Sequence, residues 1–242
     1  MRVVAVIQAR MSSTRLPGKI LEPLGDSTVL GWTVGAARLA KLVDEVTVAT
    51  STHLTDDATV GLCNDLHVTC IRGSLEDVLG RYRLAQRSTR ADAVVRLTAD
   101  CPLLDPRLID QCVAVLRADP SIFMATNALV RSYPRGLDVE VLSKAALEWL
   151  DNNSQSSHRS HVTTRLTEEP SGKSIVNLAY GVDNSDLRVT VDTPEDLSLV
   201  RSVVNVLGPK ARDSDELVAL LRQRSDIRAL NSQVVQKRWD EE

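Results

Sequence analysis

Apolar residues along this chain fall into short continuous runs that alternate with segments of helical period. Residues 3–7, VVAVI, make the first run and read as a buried strand. The run stops at Gln8, and the stretch to Lys19 carries three cations (Arg10, Arg15, Lys19) and three hydroxyls (Ser12, Ser13, Thr14). Such a stretch cannot continue a core strand. Ser and Thr compete for backbone partners, Pro17 lacks a donor, and Gly18 lets the backbone approach a ligand. It predicts a loop at the strand's carboxyl end.

The alternation continues. Val29, Leu30, Trp32, Thr33, Val34, Ala37 and Leu39 predict a helix over about 28–42, followed by a strand at 45–50, a polar loop at 51–57 and a short helix at 56–65. A third strand is expected at 67–71, closed by Arg72-Gly73-Ser74, and Leu75, Val78, Leu79, Tyr82 and Leu84 predict another amphipathic helix. The fourth strand, 93–98, ends at Ala99-Asp100-Cys101-Pro102, and Asp105-Pro106 opens the next helix. Strands alternating with helices predict an α/β fold with a mostly parallel sheet.

The pattern loosens after about residue 120. Shorter strands at 122–126, 137–142, 174–180 and 187–191 suggest a mixed or antiparallel part, with helices at 143–151 and 156–168. Pro194 starts a further helix, 213–223 another, and 235–242 reads as a frayed tail.

Composition narrows the function. The 242 residues fit one domain spanning 1–242, and 29 Lys and Arg against 32 Asp and Glu give a net charge of −3, so no global basic field points to nucleic acid. With one Phe, three Tyr and three Trp, stacking platforms for single strands are lacking too. No apolar run approaches a membrane span and the first is too short for a signal peptide, so a cytoplasmic protein is expected. Cys63, Cys70, Cys101 and Cys112 form no C-x-x-C pair and read as buried free thiols.

A parallel sheet would gather four polar loops on one edge: Arg10 to Lys19, Ser51 to Asp57, Arg72 to Asp77 and Asp100 to Asp105. The first is cationic and the last presents Asp100. Cations for phosphate oxygens beside a carboxylate for a hard divalent metal suit phosphoryl chemistry. Asp192 offers a second carboxylate, or alternatively caps the helix opened by Pro194. The familiar nucleotide loops are excluded. A P-loop needs Gly and a Ser or Thr where Ser13 and Ile20 stand, and a dinucleotide fingerprint needs three glycines where this loop has Gly18 alone.

Six stretches in order, IQARMSSTRLPGK (7–19), VATS (48–51), RGSLEDVLGRY (72–82), VRLTADCPL (95–103), YPRGLDVE (133–140) and VDTPEDL (191–197), resemble the cytidylyltransferase family. The resemblance is to its SpsF-like, spore-coat-polysaccharide branch, related to the synthetases of CMP-3-deoxy-manno-octulosonate and CMP-acylneuraminate. It implies a Rossmann-like sheet of the nucleotide-diphospho-sugar transferase type, with a smaller mixed or antiparallel acceptor and dimerisation region at about 125–185. It implies Mg²⁺ dependence and attack of an acceptor oxygen on the α-phosphorus of CTP, with loss of pyrophosphate.

Carried onto this sequence, the resemblance makes Arg10, Lys19 and Asp100 the catalytic candidates. Ala9, Arg10, Arg15, Lys19, Ser51 and Arg72 become the nucleotide-binding candidates, and Asp100 and Asp192 the metal ligands. Arg135, Asp138, Glu140 and His161 become candidates for the acceptor. On a strand, Asp138 and Glu140 would share one face, as a polar acceptor wall or a solvated edge. Where the family has Glu-His-Val-Thr-Pro, this chain reads Ser160-His161-Val162-Thr163-Thr164, which keeps the histidine and leaves the acceptor's identity open. The resemblance also implies a homodimer. A glycosyltransferase and a non-catalytic nucleotide-binding subunit stand as alternatives; the first would carry a D-x-D-like motif where Asp100-Cys101-Pro102 stands.

Overall fold

A computed structural model describes residues 1–170 and 172–236 of the chain. Strand β1 (Val3–Gln8) lies at the centre, flanked by β4 (Glu45–Ser51) and β6 (Ala93–Thr98), with β5 (Thr69–Gly73) beyond β4. These four are parallel. On the other side, β8 (Glu140–Ser143) runs antiparallel to β6 and to β7 (Ile122–Thr126), and β9 (Ser174–Asn177) pairs parallel with β7. The order β5-β4-β1-β6-β8-β7-β9 is therefore a parallel half joined to a mixed half, and a small hairpin of β2 (Pro23–Leu24) and β3 (Ser27–Thr28) stands apart.

Alternation along β1 builds both faces of the core. Val3, Ala5 and Ile7 point into the larger cluster, packed by α1 (Val29–Leu39), α4 (Pro106–Ala118) and α8 (Pro194–Leu207). Val4 and Val6 point the other way, against α3 (Val78–Thr89), α5 (Lys144–Asn153) and α7 (Thr164–Glu168). A strand buried on both faces is continuous in hydrophobicity, which is why VVAVI reads so plainly. No helix among the described residues is long and apolar enough to cross a membrane.

The strands at 93–98 and 122–126 fall where the sequence places them, while others shift for local reasons. The third strand begins at Thr69 because α2 (Asp57–Asp65) closes through His67 in the left-handed region (φ 49°), with Val68 donating to the Cys63 carbonyl at 3.0 Å. Arg72 and Gly73 consequently lie inside β5 rather than after it, and α3 starts at Val78, capped by Asp77.

The expected helix at 156–168 is two, α6 (Ser156–His161) and α7. Val162 between them takes φ 58° and ψ −64°, and the Thr163 amide donates to the His161 carbonyl at 2.7 Å, a γ-turn that stores strain on a fully buried β-branched residue.

The expected strand at 187–191 is reduced to an isolated bridge between Arg188 and Arg135, and the strand at 174–180 ends at Asn177. The strand expected from 137 begins at Glu140. Asp138 thus lies outside it. Helix α9 (Ser214–Gln223) matches its forecast, and α10 (Ser225–Ala229) follows it. Of the tail at 235–242, residues 237–242 lie outside the described residues.

Candidate active site

The carboxyl ends of β1, β4, β5 and β6 bring the four polar loops to one edge, as parallel order requires. The loop after β1 curls back on itself. Ser13 and Gly18 amides both donate to the Met11 carbonyl, at 2.9 and 3.1 Å, and Gly18 turns the chain at φ 72° so that Lys19 heads a short 3-10 turn. A Cβ at Gly18 would add strain at this φ and meet Met11 Cε at 3.3 Å.

Lys19 lies at the centre of the site. Its ammonium donates to Asp100 Oδ2 at 2.6 Å and to Asp192 Oδ1 at 2.7 Å, joining carboxylates that follow β6 and precede α8. Arg15 reaches Asp192 Oδ2 at 3.1 Å, and Arg188 donates to the same oxygen at 2.7 Å. Burial opposes the charge of both Lys19 and Asp192, but mutual attraction wins. The Lys19 pKa stands above its ordinary value, while Lys19, Arg188 and Arg15 hold the Asp192 carboxyl down to about 2.

Asp192 is not the helix cap. Thr193 holds that position, its hydroxyl accepting from the Asp196 amide while Asp196 reaches back to the Thr193 amide in a capping box. The Asp192 side chain is thereby left to the polar edge.

The other candidates are dispersed. Arg10 is exposed and makes no ion pair or side-chain hydrogen bond among the described residues. Ala9 is buried, with its amide donating to the Ala49 carbonyl at 3.0 Å. Ser51 is fully buried and spends its hydroxyl on Asp56. Arg72 is engaged by the carbonyls of Ser51 (2.8 Å) and His53 (3.1 Å) and by Asp57 (2.7 Å). Ser51 and Arg72 are thus both tied into the loop after β4.

On the acceptor side, Asp138 and Glu140 alternate with the buried Leu137 and Val139, and each has its own arginine. Asp138 pairs with Arg131, while Glu140 pairs with Arg96 and accepts from Thr163 Oγ1 at 2.9 Å. His161 ends α6 just before the strained Val162. Arg135 is half-buried and has no ion pair or side-chain hydrogen bond among the described residues. Gly136 brings it there: at φ 104°, its missing Cβ would lie 2.5 Å from the Thr190 amide nitrogen, so only glycine admits this close crossing.

Sequence reasoning missed Asp56. This buried carboxylate accepts the Met11 amide at 2.7 Å and the Ser51 amide at 3.1 Å, tying the loop after β1 to the loop after β4. Nothing in its local sequence sets it apart from Asp57. Arg188 was also missed, as was Asp196, although the Thr193-x-x-Asp196 spacing is a cap signature.

Two carboxylates held side by side with cations around them suit a metal–polyphosphate. Among the described residues no group of three or more His, Cys, Asp and Glu could hold a metal, so the protein would give two hard donors and leave the rest to phosphate and water, as Mg²⁺ prefers.

The cytidylyltransferase family model matches residues 4–201. The spore coat polysaccharide biosynthesis protein SpsF of Bacillus subtilis is 28% identical over 93% of this chain and 95% of its own length. The 3-deoxy-manno-octulosonate cytidylyltransferase of Bdellovibrio bacteriovorus is 36% identical over 128 residues, 53% of this chain and 51% of that protein. Among solved structures, a cytidylyltransferase from Leptospira borgpetersenii serovar Hardjo-bovis superposes with a TM-score of 0.91 at 32% identity, covering 98% of this chain and 100% of that one. A family model spanning most of the length and a near-complete structural match make this chain a member of the cytidylyltransferase family, a CTP-dependent nucleotidyltransferase.

Proposed function

We propose that the chain transfers CMP from CTP to an oxygen of a small anionic acceptor, of the acidic-sugar class, with release of pyrophosphate. The observation that carries this reading is Lys19 holding Asp100 and Asp192 together at 2.6 and 2.7 Å beside a cationic loop. Asp100 and Asp192 would hold Mg²⁺, which supplies charge neutralisation on the phosphates. Arg10, Arg15 and Lys19 bind the triphosphate and offset charge developing on the departing pyrophosphate. The acceptor oxygen forms its bond to the α-phosphorus as the bond to pyrophosphate breaks, and the acceptor proton leaves to solvent. The protein contributes positioning and preset charge.

Arg135 supports an anionic acceptor. Burial and the neighbouring Arg131 and Arg188 disfavour its charge and outweigh Asp138 and Cys101, so an incoming carboxylate would relieve it. A sugar acid fits the relative named for 3-deoxy-manno-octulosonate.

The test is pyrophosphate release from each of CTP, ATP, GTP and UTP with Mg²⁺ and a panel of sugar acids and neutral sugars. Release specific to CTP and a sugar acid is expected. Better turnover with another triphosphate would remove the cytidylyl assignment, and acceptor-independent hydrolysis would remove the transfer.

We also infer a homodimer formed through about 125–185. Leu129, Val130 and Val182 are 47%, 68% and 68% exposed there, beside the edge strand β9. Light scattering at micromolar concentration should give twice the mass of one chain; a single-chain mass would refute it.

A further inference from the structure

Behind Asp192 lies a buried polar network that the transfer reaction does not by itself call for. Arg188, with its side chain 10% exposed, forks between two carboxylates. Its Nη2 donates to Asp192 Oδ2 at 2.7 Å and to Asp196 Oδ2 at 2.9 Å, and its Nε donates to Asp196 Oδ1 at 2.8 Å.

Asp196 is completely buried and accepts more than a helix cap needs. Besides Arg188 and the Thr193 amide, it takes the Asp192 amide at 3.0 Å and Asn231 Nδ2 at 2.8 Å. Asn231 lies beyond α10 and also donates to the Arg188 carbonyl at 3.2 Å, and Arg188 Nη1 reaches Gln236. The segment after α10 is thus stitched to the residue that faces the polyphosphate edge.

We propose that Arg188 is a positioning residue for Asp192, set by Asp196 and by Asn231 from the carboxyl-terminal segment; this rests on the reading that Asp192 holds the metal. Asp192 has two oxygens with different duties. Oδ2 is bound by Arg188 and by Arg15, while Oδ1 accepts from Lys19, which also holds Asp100. Arg188 cannot slide, because one edge of its guanidinium, Nε and Nη2, is held bidentately by a carboxylate that has no exposure of its own.

The charges balance locally. Lys19, Arg15 and Arg188 face Asp100, Asp192 and Asp196, so removing Arg188 leaves Asp196 as a buried carboxylate short of its cation and Asp192 held from the loop after β1 alone, by Lys19 and Arg15. Partners of metal-ligating groups commonly change metal affinity or activity by about 10- to 100-fold when lost.

The test compares Arg188→Met, Arg188→Lys and Asn231→Ala with the parent, and with Arg222→Met as a structural control. Arg222 pairs with Asp186 at 2.6 Å and touches Asn184 without reaching Asp192. Two readouts are needed: Mn²⁺ affinity of the enzyme–CTP complex by electron paramagnetic resonance, without acceptor, and kcat and KM against Mg²⁺ concentration.

Asn231→Ala should weaken Mn²⁺ binding by about threefold or more, with the CTP KM at saturating Mg²⁺ little changed. Arg188→Met should weaken Mn²⁺ binding and lower kcat by about tenfold or more, and Arg188→Lys should recover only part, since an ammonium cannot fork. Arg222→Met should lower the melting temperature alone. Parental Mn²⁺ affinity and kcat in folded Arg188→Met would overturn the proposal. Should that variant not fold, parental Mn²⁺ affinity in Asn231→Ala would do so. A parent that binds Mn²⁺ and CTP but releases no pyrophosphate with any acceptor would instead remove the proposed transfer, leaving the Mn²⁺ comparison to judge Arg188.

Discussion

Lys19 Nζ lies 2.6 Å from Asp100 Oδ2, a contact between the loop after β1 and the loop after β6 across 81 positions of chain. Neighbouring parallel strands present both loops at one edge, so a distant pair in sequence becomes a close pair in space.

Asp100→Asn and Asp192→Asn should each slow turnover by about a hundredfold or more, some 3 kcal/mol, because each keeps its shape and loses charge facing the phosphates. Both proteins should stay folded. Thr193 is the helix cap, so Asp192→Asn should lower the melting temperature through the ion pairs it takes from Lys19, Arg15 and Arg188 and not through the helix end, while Thr193→Ala should cost about 1 kcal/mol of stability. Turnover against Mg²⁺ with parallel melting curves checks both halves, and near-parental turnover in Asp192→Asn would sink its role.

Lys19→Ala should also slow turnover, by way of the triphosphate, so that raising Mg²⁺ does not restore it. The variant leaves Asp100 and Asp192 facing each other without the ammonium. Initial rates across a Mg²⁺ series decide, and full rescue at high Mg²⁺ would count against direct contact with phosphate.

Asp56→Asn should be destabilising by about 2–3 kcal/mol, since an amide cannot accept all of the bonds that Met11 and Ser51 donate. Burial raises the Asp56 pKa, but hydrogen bonds from Ser51 and Met11 outweigh it, leaving it below its ordinary 3.8. A depressed carboxyl contributes stability that is fully present above the unfolded value and lost as pH falls through the folded one. The melting-temperature gap between parent and variant should therefore be widest above about pH 5 and narrow below 3.8. A gap independent of pH between 5 and 2 would contradict this account.

Gly136→Ala should fail to fold normally or lose several kcal/mol, because a Cβ would meet the Thr190 backbone nitrogen at 2.5 Å and the φ of 104° is closed to alanine. Chemical denaturation measures it. Parental stability would mean that the crossing of Arg135 over Arg188 is not held as described.

The parallel half of the fold was legible in the sequence because its strands are buried on both faces and its helices on one, so the period of hydrophobicity is the structure. The polar loop from Arg10 to Lys19 was legible because three cations and three hydroxyls break off a core strand abruptly. Elements after residue 120 were harder. Asp138 falls outside β8, and 187–191 is not a strand, because edge and crossing segments are set by partners such as Arg131 and Gly136 rather than by their own pattern. Val162 shows no signal for its turn, since its φ is imposed by surrounding packing.

The residues of the site were nameable by type and motif, but their duties were not. Ser51 and Arg72 prove to be spent on Asp56, Asp57 and backbone carbonyls, and Asp192 is released from capping by Thr193. Whether a side chain faces substrate or holds its neighbour depends on which groups lie within 3 Å of it, and those come from strands and helices far away in the chain. Sequence by itself determined the parallel half of the sheet, its polar edge and the family; only tertiary structure decided that Lys19 joins Asp100 to Asp192 and that Arg188, Asp196 and Asn231 stand behind them.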